Sequence, residues 1–380
     1  GVGTAKAPGE SFFRKALEDS APEWIATGRI RHRERDNDYP LAAEPAVLAW
    51  FAQVAALELH VPQWRFDADG RPGHPDRLVL DLDPGEGVGL AECAQVARWC
   101  RELLDGMGLE AVPVTSGSKG IHLYAGVDGA HDSDAIAEVA RELARGLEAD
   151  HPDLVISTMR KADRAGRVLV DWSQNRAAKT TVSPYSLRGR SRPTVAAPRT
   201  WEELDDPDLA QLDYEQVLAR LADGLAERGY FSHGVLPGEE PSLSGHGADR
   251  ITTLLTGDLM VGDGEQYAAA MALMAREMGL PARVVMGFVP EAPAGPDDAV
   301  TLTGADVEAW VEVELAGHGW VPFDPTPDES RTPRSDDRDQ RAAEDPQVRQ
   351  PPPPLPEPVD PPDEDTEQPS TRDEPDEDAA

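Results

Sequence analysis

Two aspartates one residue apart, Asp81 and Asp83, close an apolar run, RLVLDLDPG (Arg77–Gly85), that ends in a Pro-Gly turn. Side chains alternate along a strand, so both carboxylates point one way while Leu82 points the other. Two anions a few ångströms apart repel each other, and one takes up a proton unless a cation sits between them. Mg²⁺ and Mn²⁺ prefer oxygen donors of this kind. In an Asp-rich chain an isolated D-x-D reads more readily as a strand ending in a polar turn, so the pair needs partners.

Two further stretches supply them. In Ser116-Gly-Ser-Lys-Gly-Ile-His122, small residues let backbone N–H groups approach a phosphate, with Lys119 as a point charge and His122 as a neutral donor. Alone, that stretch is equally a glycine-rich turn between strands. Asp171 ends the apolar run RVLVDW inside a basic island: residues 158–192 carry nine Lys or Arg against two Asp. Alone, it is equally a salt-bridged carboxylate. Taken together, three carboxylates on adjacent strands would hold two divalent ions, and the Lys, Arg and His set would bind a triphosphate. That is the two-metal logic of nucleotidyl transfer.

The elements that must position these residues follow from periodicity. Apolar spacing predicts helices over Glu44–Leu59, Leu90–Met107 and Ser133–Glu148, and a helical segment over Thr200–Leu221. β-branched runs predict strands at Arg77–Asp83, Ala111–Thr115, Ile121–Tyr124, Asp153–Ser157 and Arg167–Trp172. This mixture implies an α+β protein whose first domain, 1–223, is a two-layer α/β unit with a mostly antiparallel sheet. Gly224–Arg250 is rich in Gly, Ser and Pro and marks a boundary. A small α+β unit, 224–327, then has a helix at Gly264–Met278 and strands at Ala282–Phe288, Val307–Leu315 and Trp320–Phe323. Residues 328–380 carry 18 acidic and 6 basic residues and the run Pro351–Pro354. Such a tail buries too little apolar surface to offset its ordering entropy and is expected to be disordered.

Composition sets outer limits. The 380 residues carry a formal charge of −35, which by itself argues against nucleic-acid binding; the basic island is the local exception. Cys93 and Cys100, seven residues apart, are about 10.5 Å apart along a helix, too far for a disulfide. Few cysteines, no apolar run of spanning length and no signal-peptide design point to a reducing cytoplasm.

VLDLDPGEGVG, VTSGSKGIHLY, VLVDWSQN and PYSLRGRSRPTVAAP resemble, almost continuously, the polymerase domain of bacterial DNA ligase D, a member of the archaeo-eukaryotic primase superfamily. The resemblance runs from Gly1 to about Arg220. It implies that Asp81, Asp83 and Asp171 are metal-binding catalytic carboxylates for two Mn²⁺ or Mg²⁺ ions. It also implies that Ser116, Lys119, His122, Arg164, Gln174 and Arg188 hold the incoming nucleotide, and that Phe12 and Phe13 stack on template DNA, as aromatic rings do on bases. The implied function is a primase-type DNA or RNA polymerase of non-homologous end joining. It would add NTPs or dNTPs at DNA ends or gaps, near the nucleoid, with end-joining proteins as partners and no membrane. The family carries a further upstream basic segment that grips a DNA 5′-phosphate, so the expectation is chemistry retained with end recognition weakened.

GDGEQYAAAMALMAREMGLPARVVMGF and DVEAWVEVELAGHGWVPFDPTP resemble the papain-like transglutaminase-type core of bacterial proteins. In active members a Cys opens the helix, where the helix N-terminus lowers its pKa, and a His precedes Ala-Trp. Here those positions are Gly264 and Glu308, and only the third member, Asp324, is kept. Glycine cannot attack a carbonyl, so this unit is expected to be inactive. A catalytically impaired binding or scaffold protein is the alternative reading of the whole chain. A transglutaminase or protease-like hydrolase would need a nucleophile that the second unit lacks.

Overall fold

The computed structural model describes residues 14, 16–18, 20–31, 36–42, 45–54, 56–67, 70–190, 193–234, 241–289, 301–315 and 318–333. The chain divides into two compact units, Gly1–Ser335 and Asp336–Ala380, and all described residues belong to the first. Phe12, Phe13 and the tail from 334 onward lie outside them.

Alternating Leu and Asp residues make the Arg77–Pro84 strand two-faced. It lies inside a six-stranded sheet ordered Ala197–Pro198, Ala111–Thr115, Ile121–Gly126, Arg77–Pro84, Val168–Asp171, Val155–Ile156. All pairings are antiparallel except the last. Leu78, Leu80 and Leu82 enter one core with Cys93, Val96, Ala97, Cys100 and Leu104 of the Leu90–Gly106 helix. Ile136, Ala140, Ala144 and Leu147 of the Ser133–Asp150 helix join them. Both helices start on local signals: Glu92 accepts the Gly89 N–H (2.7 Å), and Asp132 accepts the Ala135 N–H (2.9 Å). The expected two-layer, mostly antiparallel α/β architecture is what the chain adopts.

A second core gathers around the Gly264–Glu277 helix. It includes the antiparallel sheet Ala282–Phe288, Val307–Leu315, Gly319–Phe323. Val217, Leu218, Ala222 and Leu225 of the Tyr214–Arg228 helix enter the same core, as do Val195 and Ala197. The boundary expected at 223/224 falls inside that helix.

Four expectations from periodicity differ from the structure. The 44–59 helix spans only Pro45–Gln53, and His60–Val61 instead pairs antiparallel with Thr181–Val182. The 200–221 segment is a short 3₁₀ turn, Glu202–Asp205, followed by the Tyr214–Arg228 helix. Asp213 sets that start by accepting the Gln216 N–H (2.9 Å), while Gln216 accepts the Asp213 N–H (3.0 Å). The Gly/Ser/Pro-rich stretch runs into a helix at Ala248–Thr256. Finally, the start of the expected tail is docked: Arg331 Nε donates to Gly229 O (2.7 Å), and its guanidinium lies over the Tyr230 ring (5.3 Å).

Because Leu80 is fully buried between sheet and helices, Leu80→Ala is expected to cost about 2–5 kcal/mol. Val112→Ala, at a 48% exposed strand position, should stay within about 0.5 kcal/mol. Urea unfolding of the two variants checks both.

Candidate active site

Residues directly opposite in paired strands share a face. Asp171 is opposite Asp81, and Asp81 is opposite His122, so the three form a row across three strands on the face away from the helices. Asp83 lies two residues further along the same side. His122 Nε2 is 3.2 Å from Asp81 Oδ1. Gln174 Nε2 donates to Asp171 Oδ2 (3.1 Å) and reaches Asp81 Oδ2 (3.4 Å). The other oxygen of Asp171 accepts from the Ser173 N–H (2.9 Å) and hydroxyl (2.6 Å), capping the 3₁₀ turn Trp172–Asn175. Asn175, 1% exposed, accepts the Val79 N–H (2.8 Å) and donates to Val79 O (2.7 Å). That two-way clasp stitches the turn to the aspartate strand.

Burial pushes the Asp83 carboxyl up to about 6, with the Asp81 and Asp171 charges adding to the shift and His122 and Arg164 opposing it. The site is therefore short of positive charge. Among the described residues no group of three or more His, Cys, Asp or Glu is drawn together as a ligand set. The reason is visible: Asp81 and Asp171 direct oxygens at Gln174, His122 and Ser173. The donor chemistry, carboxylates with a cation deficit, still fits a hard divalent ion.

Ser116–Gly120 turns between two strands and abuts the end of the aspartate strand. A Cβ on Gly120 would lie 2.0 Å from Leu82 O, so only glycine allows this approach. The turn is not the backbone nest its composition suggested. The Ser118 and Gly120 N–H groups both donate to Ser116 Oγ (3.2 Å each), Gly117 N–H donates to Gln211 Oε1 (2.7 Å), and Ser116 N–H to Gly120 O (3.0 Å). Lys119 is exposed, and Arg188 crosses the turn with Cγ 2.7 Å from where a Gly117 Cβ would be. Arg164 donates to Met159 O (2.9 Å). Its loop reaches the aspartates because Gly85 has no Cβ, which would stand 1.8 Å from Arg164 O.

His60 and Glu58 were hidden from sequence reasoning. His60 feels both Arg188 and His122; burial lowers its imidazole, and only Glu58 pulls the other way. The alternating Glu58-Leu59-His60 was the available signal, masked by a helical spacing that ran on to Leu59.

In the second core, Gly264 opens its helix behind Asp263, which accepts the Glu265 N–H (3.0 Å). A Cβ on Gly264 would meet Ala309 O at 3.4 Å and Thr326 Oγ1 at 3.5 Å. Burial raises the exposed Glu308 carboxyl, and Asp324, Glu329 and Asp306 add to the rise. Gly264 thus lies against the neighbour of Glu308, and the charge of Asp324 reaches Glu308. Cys93 and Cys100 are buried in the first core, with both thiols pushed up by burial.

The family described as LigD, primase-polymerase domain, matches residues 4–226, more than half of the chain. The chain belongs to this family. The transglutaminase-like superfamily matches residues 210–325, in keeping with the second resemblance. The multifunctional non-homologous end joining DNA repair protein LigD of Mycobacterium tuberculosis is 55% identical over 225 residues, 57% of this chain and 30% of that protein. LigD of Mycolicibacterium smegmatis is 51% identical over 212 residues, 56% of this chain and 28% of that protein. The chain therefore spans less than a third of the curated relatives it matches. A solved structure, the polymerase domain of Mycobacterium tuberculosis Ligase D in complex with DNA, shares 54% identity with a TM-score of 0.54, over 56% of this chain and 76% of that one. LigD-family polymerase domains are nucleotidyltransferases that depend on divalent metal. No helix among the described residues is long and apolar enough to cross a membrane.

The Asp83 shift carries a sign. An acid whose folded value lies above its ordinary value of 3.8 adds stability at low pH that is lost as pH rises through about 6. In chelator, Asp83→Asn should remove that loss and exceed the parent near neutral pH by about 3 kcal/mol. Added Mn²⁺ should stabilise the parent more than the variant. Thermal unfolding across pH checks both.

Proposed function

We propose that this chain is a divalent-metal-dependent nucleotidyltransferase, a primase-type polymerase that adds nucleotides at DNA ends or gaps in non-homologous end joining. The observation that carries this reading is the row Asp171, Asp81, His122 with Asp83 beside it, short of positive charge, with Arg164 acting on Asp83. Asp81, Asp83 and Asp171 would hold Mn²⁺ or Mg²⁺, two ions in the proposed mechanism. When bound, the ions would lower the pKa of an attacking 3′-hydroxyl and neutralise the pyrophosphate leaving group.

The chain's own residues do the rest. Lys119, Arg164 and Arg188 offer charge to the triphosphate, and His122 orients Asp81 while facing the nucleotide. Ser116 fixes the turn that carries Lys119. Gln174, across Asp81 and Asp171, would turn its amide to the nucleotide once the carboxylates are taken up by a metal ion. Phe12 and Phe13 would stack on template bases. The DNA ends, NTP or dNTP, further end-joining proteins and a cytoplasmic, nucleoid-associated setting belong to the same proposal.

We assign the chain three segments: 1–223 for polymerase chemistry, 224–327 for a transglutaminase-like unit without catalysis, and 328–380 as an acidic tail. Gly264 supplies no nucleophile and Glu308 no imidazole base, so the middle segment is read as a binding module.

Primer extension on gapped DNA with Mn²⁺ and ribonucleotides tests the main reading. Extension is expected, and the Asp81→Ala/Asp83→Ala variant should lose at least about 10³-fold of it. A folded parent with no extension under Mn²⁺ or Mg²⁺ would leave only a scaffold role. Gly264→Cys should keep the parent's thermal midpoint, because its Cβ meets only ordinary contacts. It should gain no acyl-transfer turnover, since residue 308 remains Glu; an amine-incorporation assay checks this.

A further inference from the structure

A guanidinium taken out of water must be given a compensating charge, and its direction is set by where that charge is anchored. Arg188 is such a group: its side chain is 17% exposed, and its Nε is buried with no hydrogen-bond acceptor. Glu58 supplies the countercharge. Its Oε1 lies 3.6 Å from Arg188 Nε and accepts the Gly189 N–H at 2.9 Å. The other oxygen, Oε2, lies 3.2 Å from His60 Nε2. One carboxylate thus lies against the arginine, the backbone immediately after it, and the His60 imidazole.

The carboxylate is itself held. Leu59 N–H donates to Ser186 Oγ (2.8 Å), Ser183 N–H donates to Leu59 O (2.8 Å), and His60 pairs with Val182. The chain immediately after Glu58 is therefore fastened to the segment 181–189 through Leu59 and His60. At the far end, the Arg188 stem lies across Gly117 in the turn that carries Lys119. The separation from Arg188 Nε exceeds a hydrogen bond, so Glu58 fixes the guanidinium by charge without occupying its N–H groups. Burial works to raise the Glu58 carboxyl, but Gly189, His60 and Arg188 outweigh it and hold it below the usual range. It stays anionic.

We propose that Glu58 is a positioning residue of the nucleotide site: it orients Arg188 so that its donors meet the triphosphate of the incoming nucleotide. This rests on the reading that Arg188 binds that triphosphate. Glu58 touches no reacting atom. Its loss should weaken nucleotide capture and leave the chemical step, which depends on the aspartates, nearly unaltered.

The test is single-nucleotide addition to gapped DNA by the whole chain, with steady-state constants for the nucleotide. Glu58→Gln keeps the shape and removes the charge. It should raise the nucleotide KM about tenfold, with kcat within about twofold and the Kd for gapped DNA unchanged. Arg188→Gln should raise KM at least as much, and the double variant should be no worse than Arg188→Gln alone, since both act through one contact. Glu58→Asp, which retains the charge, should recover most of the loss. A nucleotide KM for Glu58→Gln equal to the parent's, or effects that add in the double variant, would overturn the proposal. So would a fall in thermal midpoint that Glu58→Gln and Glu58→Asp share along with equal loss of activity, because that is a structural role. If Arg188→Gln leaves KM unchanged, the nucleotide-binding reading of Arg188 fails on that arm alone, and the Glu58 proposal falls with it.

Discussion

Three carboxylates share one face of a strand pair whose other face is dry, and most of the first unit can be understood as the accommodation of that constraint. A buried anion without a partner costs several kcal/mol, and a cluster costs more because each charge raises the others. Burying Leu78, Leu80 and Leu82 on the opposite face contributes about 1.5–3 kcal/mol each. Together they exceed the roughly 3 kcal/mol implied by lifting Asp83 to about 6. The strand can therefore hold an unfavourable face in place. Gln174, Ser173 and His122 then take the lone pairs that water would have taken, and Asn175 ties their turn to the backbone beneath the site.

What was legible in the sequence was local and periodic. Asp81, Asp83 and Asp171 could be placed on one face because strand alternation is strict, and Ser116–Gly120 could be placed as a turn because small residues cluster there. What was not legible depended on partners remote in the chain. The turn's N–H groups looked available for an anion, yet Gln211 and the Ser116 hydroxyl use those of Gly117, Ser118 and Gly120. Glu58 and His60 looked like the end of a helix, because the apolar spacing of Val47–Leu59 continued past Gln53. Only pairing with Thr181–Val182 shows that the chain is extended there. The Tyr214–Arg228 helix was displaced in the reading for a similar reason: helical composition begins near Thr200, but the Asp213–Gln216 exchange decides where a long helix can start.

The second unit separates geometry from chemistry. Gly264 still opens a capped helix, Ala309 still lies against it, and Glu308 and Asp324 still sense each other. The scaffold that would aim a nucleophile survives around a glycine, which offers none. Sequence reading was well suited to this, because losing a Cys or His is a statement about residue type at one position. It could not foresee that the space beside Gly264 remains open to a side chain.

The Tyr214–Arg228 helix lies where the two family matches overlap, residues 210–226, and its apolar face belongs to the core built around the Gly264–Glu277 helix. The last helix of one module is thus the first of the next. A fusion made by sharing an element, rather than by inserting a linker, has no hinge at the join. The two modules cannot be cut apart there without exposing Val217, Leu218 and Leu225. The join is a shared wall, built from one helix whose apolar face neither module can spare.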